Sequence, residues 1–154
     1  MFKKTFSLIF FLLLTSCGYE AIHSKKNSIN YDFSISDLTF VGDRDVNLKI
    51  KEKLNSYTLS KKNKNFTLKI LSSSQKVVLV KDKSGDPTSF ESKIKINVEV
   101  FVSGEIRGNL QILESFKYNN ISNKFNLKSY EKEIKNNLSE TAIEKLIFKL
   151  SNIK

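Results

Sequence analysis

The sequence predicts an α+β fold. It is a two-layer sandwich in which a four-stranded, mostly antiparallel mixed sheet carries two helices, in the order β-α-β-β-β-α. Three observations point there. Apolar residues alternate with polar ones in four separate stretches, as they do in strands with one buried face. Two further stretches carry apolar residues at three- and four-residue spacing, as helices with one buried face do. The first helical stretch lies between the first and second strands, which makes that unit a right-handed crossover onto a parallel neighbour, while the later strands form a meander through short turns.

The chain opens with a segment that belongs to no fold. Lys3 and Lys4 form a basic head, Phe6 to Leu14 is an apolar run broken only by Ser7, and Leu14-Thr15-Ser16-Cys17 closes it. A run this short does not span a bilayer core, so it reads as a secretory signal over residues 1–16. Small residues before the cut and a thiol after it are what lipoprotein processing requires, so Cys17 is the expected lipidation site, carrying an N-acyl group and an S-linked diacylglycerol. Cleavage would remove 16 of 154 residues and leave 138, the size of one domain. Two lysines would leave with the signal, taking the net charge from +10 to +8. Cys17 is the only cysteine, so the fold must stand on packing without internal disulfides.

Residues 17–30 are polar and aperiodic and read as a lipidated tether, which leaves 31–154 as a single domain. Tyr31, Phe33 and Ile35 share one strand parity. At Ser36-Asp37 the parity switches to Leu38 and Phe40, which predicts a bulge or strand end. Gly42-Asp43-Arg44-Asp45 breaks the strand and opens a helix. Asp43 or Asp45 can accept from the free amides of the first turn, and both favour the positive end of the helix dipole. Val46, Ile50, Leu54 and Tyr57 then form the apolar stripe.

Phe66, Leu68 and Ile70 begin the second strand, and Val78 and Val80 resume its parity after Ser72-Ser73-Ser74-Gln75. Ser84-Gly85-Asp86-Pro87, with the sole proline, is the strongest turn signal. Ile94, Ile96, Val98, Val100 and Val102 make the third strand. Gly104 and Gly108 are expected to flank the next turn, and Leu110, Ile112, Phe116 and Tyr118 to form the fourth strand. After a polar stretch over 119–124, Tyr130, Ile134, Leu138, Ala142, Leu146 and Leu150, widened by Ile143 and Ile147, stripe a long closing helix. Glu131 and Lys135 stand four apart on it in the favourable order for an ion pair.

The residues that carry chemistry are few. His23 is the only histidine and lies in the tether. Metal sites want clustered Cys, His or carboxylates, and a lipidated Cys17 is no ligand. Asp43 and Asp45 are explained by helix capping. Ser84-Gly85-Asp86 lacks the glycines and lysine of a phosphate-cradling loop and joins strands rather than opening a helix. The chain is not expected to be an enzyme or to bind a metal, and no cofactor is expected beyond the covalent lipid. Lys76, Lys81, Lys83, Lys93 and Lys95 gather around the proline turn in the sequence. Such a group can hold an anionic headgroup through charge-assisted hydrogen bonds. It can equally be a solvated hairpin end that discourages edge pairing. A basic membrane-tethered protein suggests an acidic partner, either lipid headgroups or lipopolysaccharide phosphates, and export argues against nucleic acid. The codon bias of an AT-rich genome would produce the same lysine excess without any binding role.

Several segments in order carry a resemblance. Cys17-Gly18-Tyr19 starts the mature chain, and the strand Phe33-Ser34-Ile35-Ser36-Asp37-Leu38 runs into Gly42-Asp43-Arg44-Asp45. The helix Val46-Asn47-Leu48-Lys49-Ile50-Lys51-Glu52-Lys53-Leu54 follows. The closing stretch contains Ser129-Tyr130-Glu131 and Leu138-Ser139-Glu140-Thr141-Ala142-Ile143-Glu144-Lys145-Leu146. Together, behind a lipobox, they resemble the lipopolysaccharide-assembly lipoprotein family, LptE, in its alphaproteobacterial style. The resemblance implies a plug, lipid-anchored at the outer membrane, that sits inside the LptD β-barrel and assists lipopolysaccharide insertion into the outer leaflet. It also implies contact with lipopolysaccharide through basic residues near the sheet turn, where Lys83 stands with Lys81 and Lys93 close in sequence. Lys135 lies near a second basic position on the closing helix, slightly offset. The chain departs from the family in its wealth of Lys and Asn, with only Arg44 and Arg107 as arginines. A different class, an auxiliary lipoprotein of a phospholipid-transport or efflux system, would share the same anchor.

Overall fold

A computed structural model describes residues 31–59 and 61–153. The chain divides into two units, Met1–Asn30 and Tyr31–Lys154, and every described residue belongs to the second. The signal segment 1–16, the tether 17–30, Cys17 and His23 lie outside the described residues.

The domain runs β1 (Phe33–Gly42), α1 (Arg44–Thr58), β2 (Lys64–Lys81), β3 (Pro87–Val102), β4 (Glu105–Asn119) and α2 (Lys124–Ser151). The strands form one sheet in the order β1-β2-β3-β4. β1 pairs parallel with β2, and the other two pairings are antiparallel. This is the expected four-stranded mixed sheet with two helices.

The alternation of each strand decides which face is buried. Phe66, Leu68 and Ile70 of β2, Ile94, Ile96, Val98 and Val100 of β3, and Ile112 of β4 all point to one side. They meet Val46, Ile50 and Leu54 of α1 and Ile134, Leu138, Ala142, Ile143, Leu146 and Leu150 of α2 in a single core. Each of the larger side chains among them, taken fully out of water, contributes roughly 1.5–3 kcal/mol. Both helical stripes are the predicted ones, with Tyr57 and Ile147 only partly covered and Tyr130 36% exposed.

The parity switch in β1 is a bulge. Ile35 pairs with Phe66 and Asp37 with Thr67, so Ser36 is the extra residue. Its hydroxyl satisfies itself across the pair, donating to the Phe66 carbonyl at 3.1 Å, with Thr67 Oγ1 at 3.0 Å.

Three expectations need correction. The turn between β3 and β4 is Ser103-Gly104, both at positive φ (52° and 86°), and Gly108 sits inside β4 opposite Val100. Val78 keeps the inward parity of β2, but an irregularity at Leu79 shifts the register so that Val80 pairs with Ser89; the two valines are 41% and 55% exposed and are not core. The reason is length. At about 3.3 Å per residue the 18 residues of β2 span about 60 Å, whereas the 15 residues of α1 cover only about 22 Å. Finally, Glu131 and Lys135 do not pair with each other. Each is held by a partner on another element.

Candidate functional site

The overhanging β2–β3 hairpin carries the lysines singled out in the sequence. Its turn is held by Asp82, whose Oδ1 accepts from the amides of Ser84 and Asp86, both at 2.9 Å. The Asp82 amide donates to the Asp86 carbonyl at 2.9 Å, and Gly85 takes φ +89°. An aspartate that gathers nearby amides fixes the loop, so Lys81 and Lys83 project from a defined, exposed end. Behind them Val77, Val78, Leu79 and Val80 are 36–55% exposed on both faces of the strand. Thr88 Oγ1 donates to the Val80 carbonyl at 3.2 Å, and Asn120 reaches the Pro87 and Thr88 carbonyls at 2.8 Å, which ties the end of β4 to the hairpin.

The structure separates the five lysines. Lys93 pairs in register with Gln75 and lies six residues from Pro87, about 20 Å along the strand. It turns to the uncovered face of the sheet, where its ammonium sits 2.9 Å from Glu91. That contact is the leading cause holding the Glu91 carboxyl below its ordinary pKa. Lys95 shares that face. Lys76 turns the other way, toward α2. Its ammonium lies 3.8 Å from the centre of the Phe90 ring and 2.5 Å from Glu131 Oε1. The Tyr118 hydroxyl donates to the same oxygen at 3.0 Å. Burial first, then this hydrogen bond and the Glu131 charge, push the Tyr118 phenol well above its ordinary pKa. Only Lys81 and Lys83 therefore share the turn.

Lys135 has a different setting. Its ammonium lies 3.0 Å from Asp43 Oδ2 and 3.0 Å from Asp45 Oδ2. Burial works against the charged lysine, but hydrogen bonds to Asp43 and Asp45 outweigh it and raise the pKa. Asp43 is the N-cap of α1, accepting from the amides of Asp45 (3.0 Å) and Val46 (3.1 Å) and from the Ser74 hydroxyl. Burial alone would raise its pKa, yet the bonds from Ser74, Val46 and Lys135 bring it down to about 2.

Beside this network the amino-terminal half of α2 opens a groove of about 590 Å³, lined by Phe125, Lys128, Lys132 and Lys135 together with the carboxylates Asp45 and Glu131. Phe125 is 78% exposed. The sequence reading missed this group, although Lys124, Lys128 and Lys132 recur at four-residue spacing around the start of the apolar stripe. The lining mixes both signs of charge around one exposed ring, with Lys135 already held by Asp43 and Asp45. Among the described residues, no cluster of three or more His, Cys, Asp or Glu could hold a metal ion.

No family model matches the chain, and no curated protein matches it in sequence. Solved structures do match in shape. The uncharacterised lipoprotein B of Nitrosomonas europaea aligns with TM-score 0.60 at 12% identity, over 79% of this chain and 86% of that one. A minor lipoprotein of Acinetobacter baumannii aligns with TM-score 0.51 at 14% identity, over 79% and 88%. A putative lipoprotein of Caulobacter crescentus aligns with TM-score 0.51 at 11% identity, over 74% and 87%. The chain shares the fold of these lipoproteins. At these identities the likeness is one of architecture, and it covers most of each neighbour's length.

Proposed function

We propose that this protein is an outer-membrane lipoprotein, anchored through Cys17, that seats in a large LptD-type β-barrel and assists lipopolysaccharide assembly. The observation that carries the reading is the β2–β3 hairpin. It presents an exposed apolar strand segment, Val77 to Val80, ending in Lys81 and Lys83 on a rigid turn. Lipid A combines phosphates with acyl chains, and this end offers a matching partner for each. The lipobox and the fold shared with other lipoproteins support the same reading. The uncovered face of the sheet is mixed rather than dry. Leu71 and Leu113 lie among Lys69, Lys95, Asn97 and Glu99, a surface suited to the polar and charged lining of a barrel lumen.

The deciding experiment is purification of the full-length protein from detergent-solubilised membranes, with identification of what comes with it. A large outer-membrane barrel in stoichiometric amount is the expected result. An inner-membrane transporter in its place would make the protein an auxiliary of phospholipid transport or efflux.

A further inference from the structure

The end of the domain opposite the hairpin combines apolar and basic residues where the chain enters from its amino-terminal segment. Leu59 is 82% exposed, the most exposed large hydrophobic residue among those described. It is followed by Lys61 and Lys62, and no acidic residue among those described holds either one. This loop lies against the point of entry. The Lys62 amide donates to Ser34 Oγ at 3.3 Å, and the Tyr57 ring stacks on Phe33 with centroids 4.6 Å apart. Lys64 Nζ bonds the Ile153 carbonyl at 3.0 Å, which brings the end of α2 to the same place. Arg107 stands in β4 one residue from Gly108, whose Cα faces the Ile153 side chain. Negative charges among the described residues at this end include Asp32, Asp37 (level with Thr67 and Ile106) and Glu105, the last 3.8 Å from Arg107.

We infer that this end rests on an anionic phospholipid surface, with Leu59 entering the interface and Lys61 and Lys62 meeting headgroup phosphates. Two arguments select that occupant. Cys17 is 14 residues from Tyr31, so a lipid on it lies within about 50 Å of this end, and the hairpin turn is about 60 Å further along β2. The charge at this end complements acidic headgroups, and each lysine near an anionic surface adds about 1 kcal/mol of attraction to whatever the anchor supplies. The inference rests on the lipid-anchored reading for its membrane, though not for its surface chemistry.

The test uses the mature-length chain from residue 17 with Cys17→Ser, which has no acyl anchor and retains the whole described core. It is floated with vesicles of phosphatidylcholine alone or mixed with phosphatidylglycerol. Binding is expected only to the anionic vesicles, falling as salt rises. Lys61→Glu/Lys62→Glu should weaken it roughly tenfold or more, Leu59→Ser should weaken it as well, and Lys117→Glu, exposed on the far half of β4 opposite Glu91, should leave it nearly unchanged. The salt series on the unmutated surface keeps the test sound should a variant fold poorly. No binding to anionic vesicles, equal binding to neutral ones, or a loss in Lys117→Glu as large as that in Lys61→Glu/Lys62→Glu would overturn the inference. Lipid labelling of the Cys17 precursor in cells is scored separately. An unlabelled protein whose acyl-free chain still floats would sink the anchor and leave the surface standing.

Discussion

Lys135 Nζ on α2 lies 3.0 Å from Asp43 Oδ2 at the cap of α1, joining residues 92 apart in the chain. One ammonium thereby completes a cap that already gathers two backbone amides and the Ser74 hydroxyl. The position that the family resemblance offered for lipopolysaccharide contact is occupied first by a structural duty.

That pair predicts a pH dependence with a definite sign. The folded-state pKa of Asp43, about 2, lies below its ordinary value of 3.8. The carboxylate's contribution is therefore complete above pH 4 and lost as the pH falls through 2. Allowing for solvent screening, it amounts to on the order of 1 kcal/mol. Asp43→Ala should flatten the acid limb of a stability-against-pH curve followed by urea unfolding. The Lys135 pKa is raised above 10.5, so its share is present below that value and is lost only as the pH climbs through the folded pKa. An acid limb that keeps its full slope in Asp43→Ala would show that the cap does not act this way.

Gly42 should tolerate no side chain. A Cβ there would fall 1.9 Å from the Ser72 carbonyl oxygen at a backbone φ of +101°. The Asp43 amide must stay bonded to that same carbonyl (3.1 Å), so the turn cannot simply move away. Gly42→Ala should cost at least about 2 kcal/mol. Gly85→Ala, at φ +89° with nothing within 4 Å, should cost only about 1 kcal/mol. Thermal melts of the two variants compare them directly, and equal losses would contradict the steric argument.

Leu146 is fully buried, at 0% exposure between the sheet and α2. Leu146→Ala should destabilise the domain by roughly 2–5 kcal/mol through lost transfer energy and the cavity left behind. Val80→Ala removes apolar atoms from a residue that is 55% exposed and should change stability far less. Chemical denaturation of the pair reads the difference, and similar midpoints would mean that β2 is packed along its whole length.

At the hairpin, Lys81→Glu/Lys83→Glu should weaken lipopolysaccharide binding by the folded protein and reduce its salt dependence, since exposed charges are screened within about 8 Å at physiological ionic strength. Lys93→Glu should matter less for binding, because Lys93 sits about 20 Å from the turn beside Glu91. Titration at low and high salt separates the three positions. Unchanged affinity in the double variant would reduce the two turn lysines to a solvated surface.

Much of the fold could be read from the residues because strand and helix periods are local. The slip at Ser36-Asp37 announced the bulge, and the Val46-Ile50-Leu54 stripe announced the face of α1. What periodicity could not show was where one element outruns another. Val78 and Val80 are spaced as core residues in the sequence, yet both are largely exposed and the register shifts between them. The serines of β2 were likewise opaque. Ser72 and Ser74 look like an interruption, but they are inward positions given over to the start of α1. Ser72 Oγ donates to Asn47 Oδ1 at 2.7 Å, and Ser74 bonds Asp43. The site was harder still, because ion pairing is decided by which elements meet. Glu131 and Lys135 satisfy the helical rule, yet the sheet supplies Lys76 and the α1 cap supplies Asp43.

The parallel seam between β1 and β2 has a kinetic consequence. β2, β3 and β4 are joined by short turns and can pair with one another early. β1 must wait for α1 to cross and for β2 to exist, so its loop closes late. The strand nearest the amino terminus is thus the last to join and takes an outer place in the sheet. The meander can therefore assemble before the first strand is free to join it. Pulse-labelled hydrogen exchange during refolding should show amides of Ile94–Val100 protected before those of Phe33–Phe40.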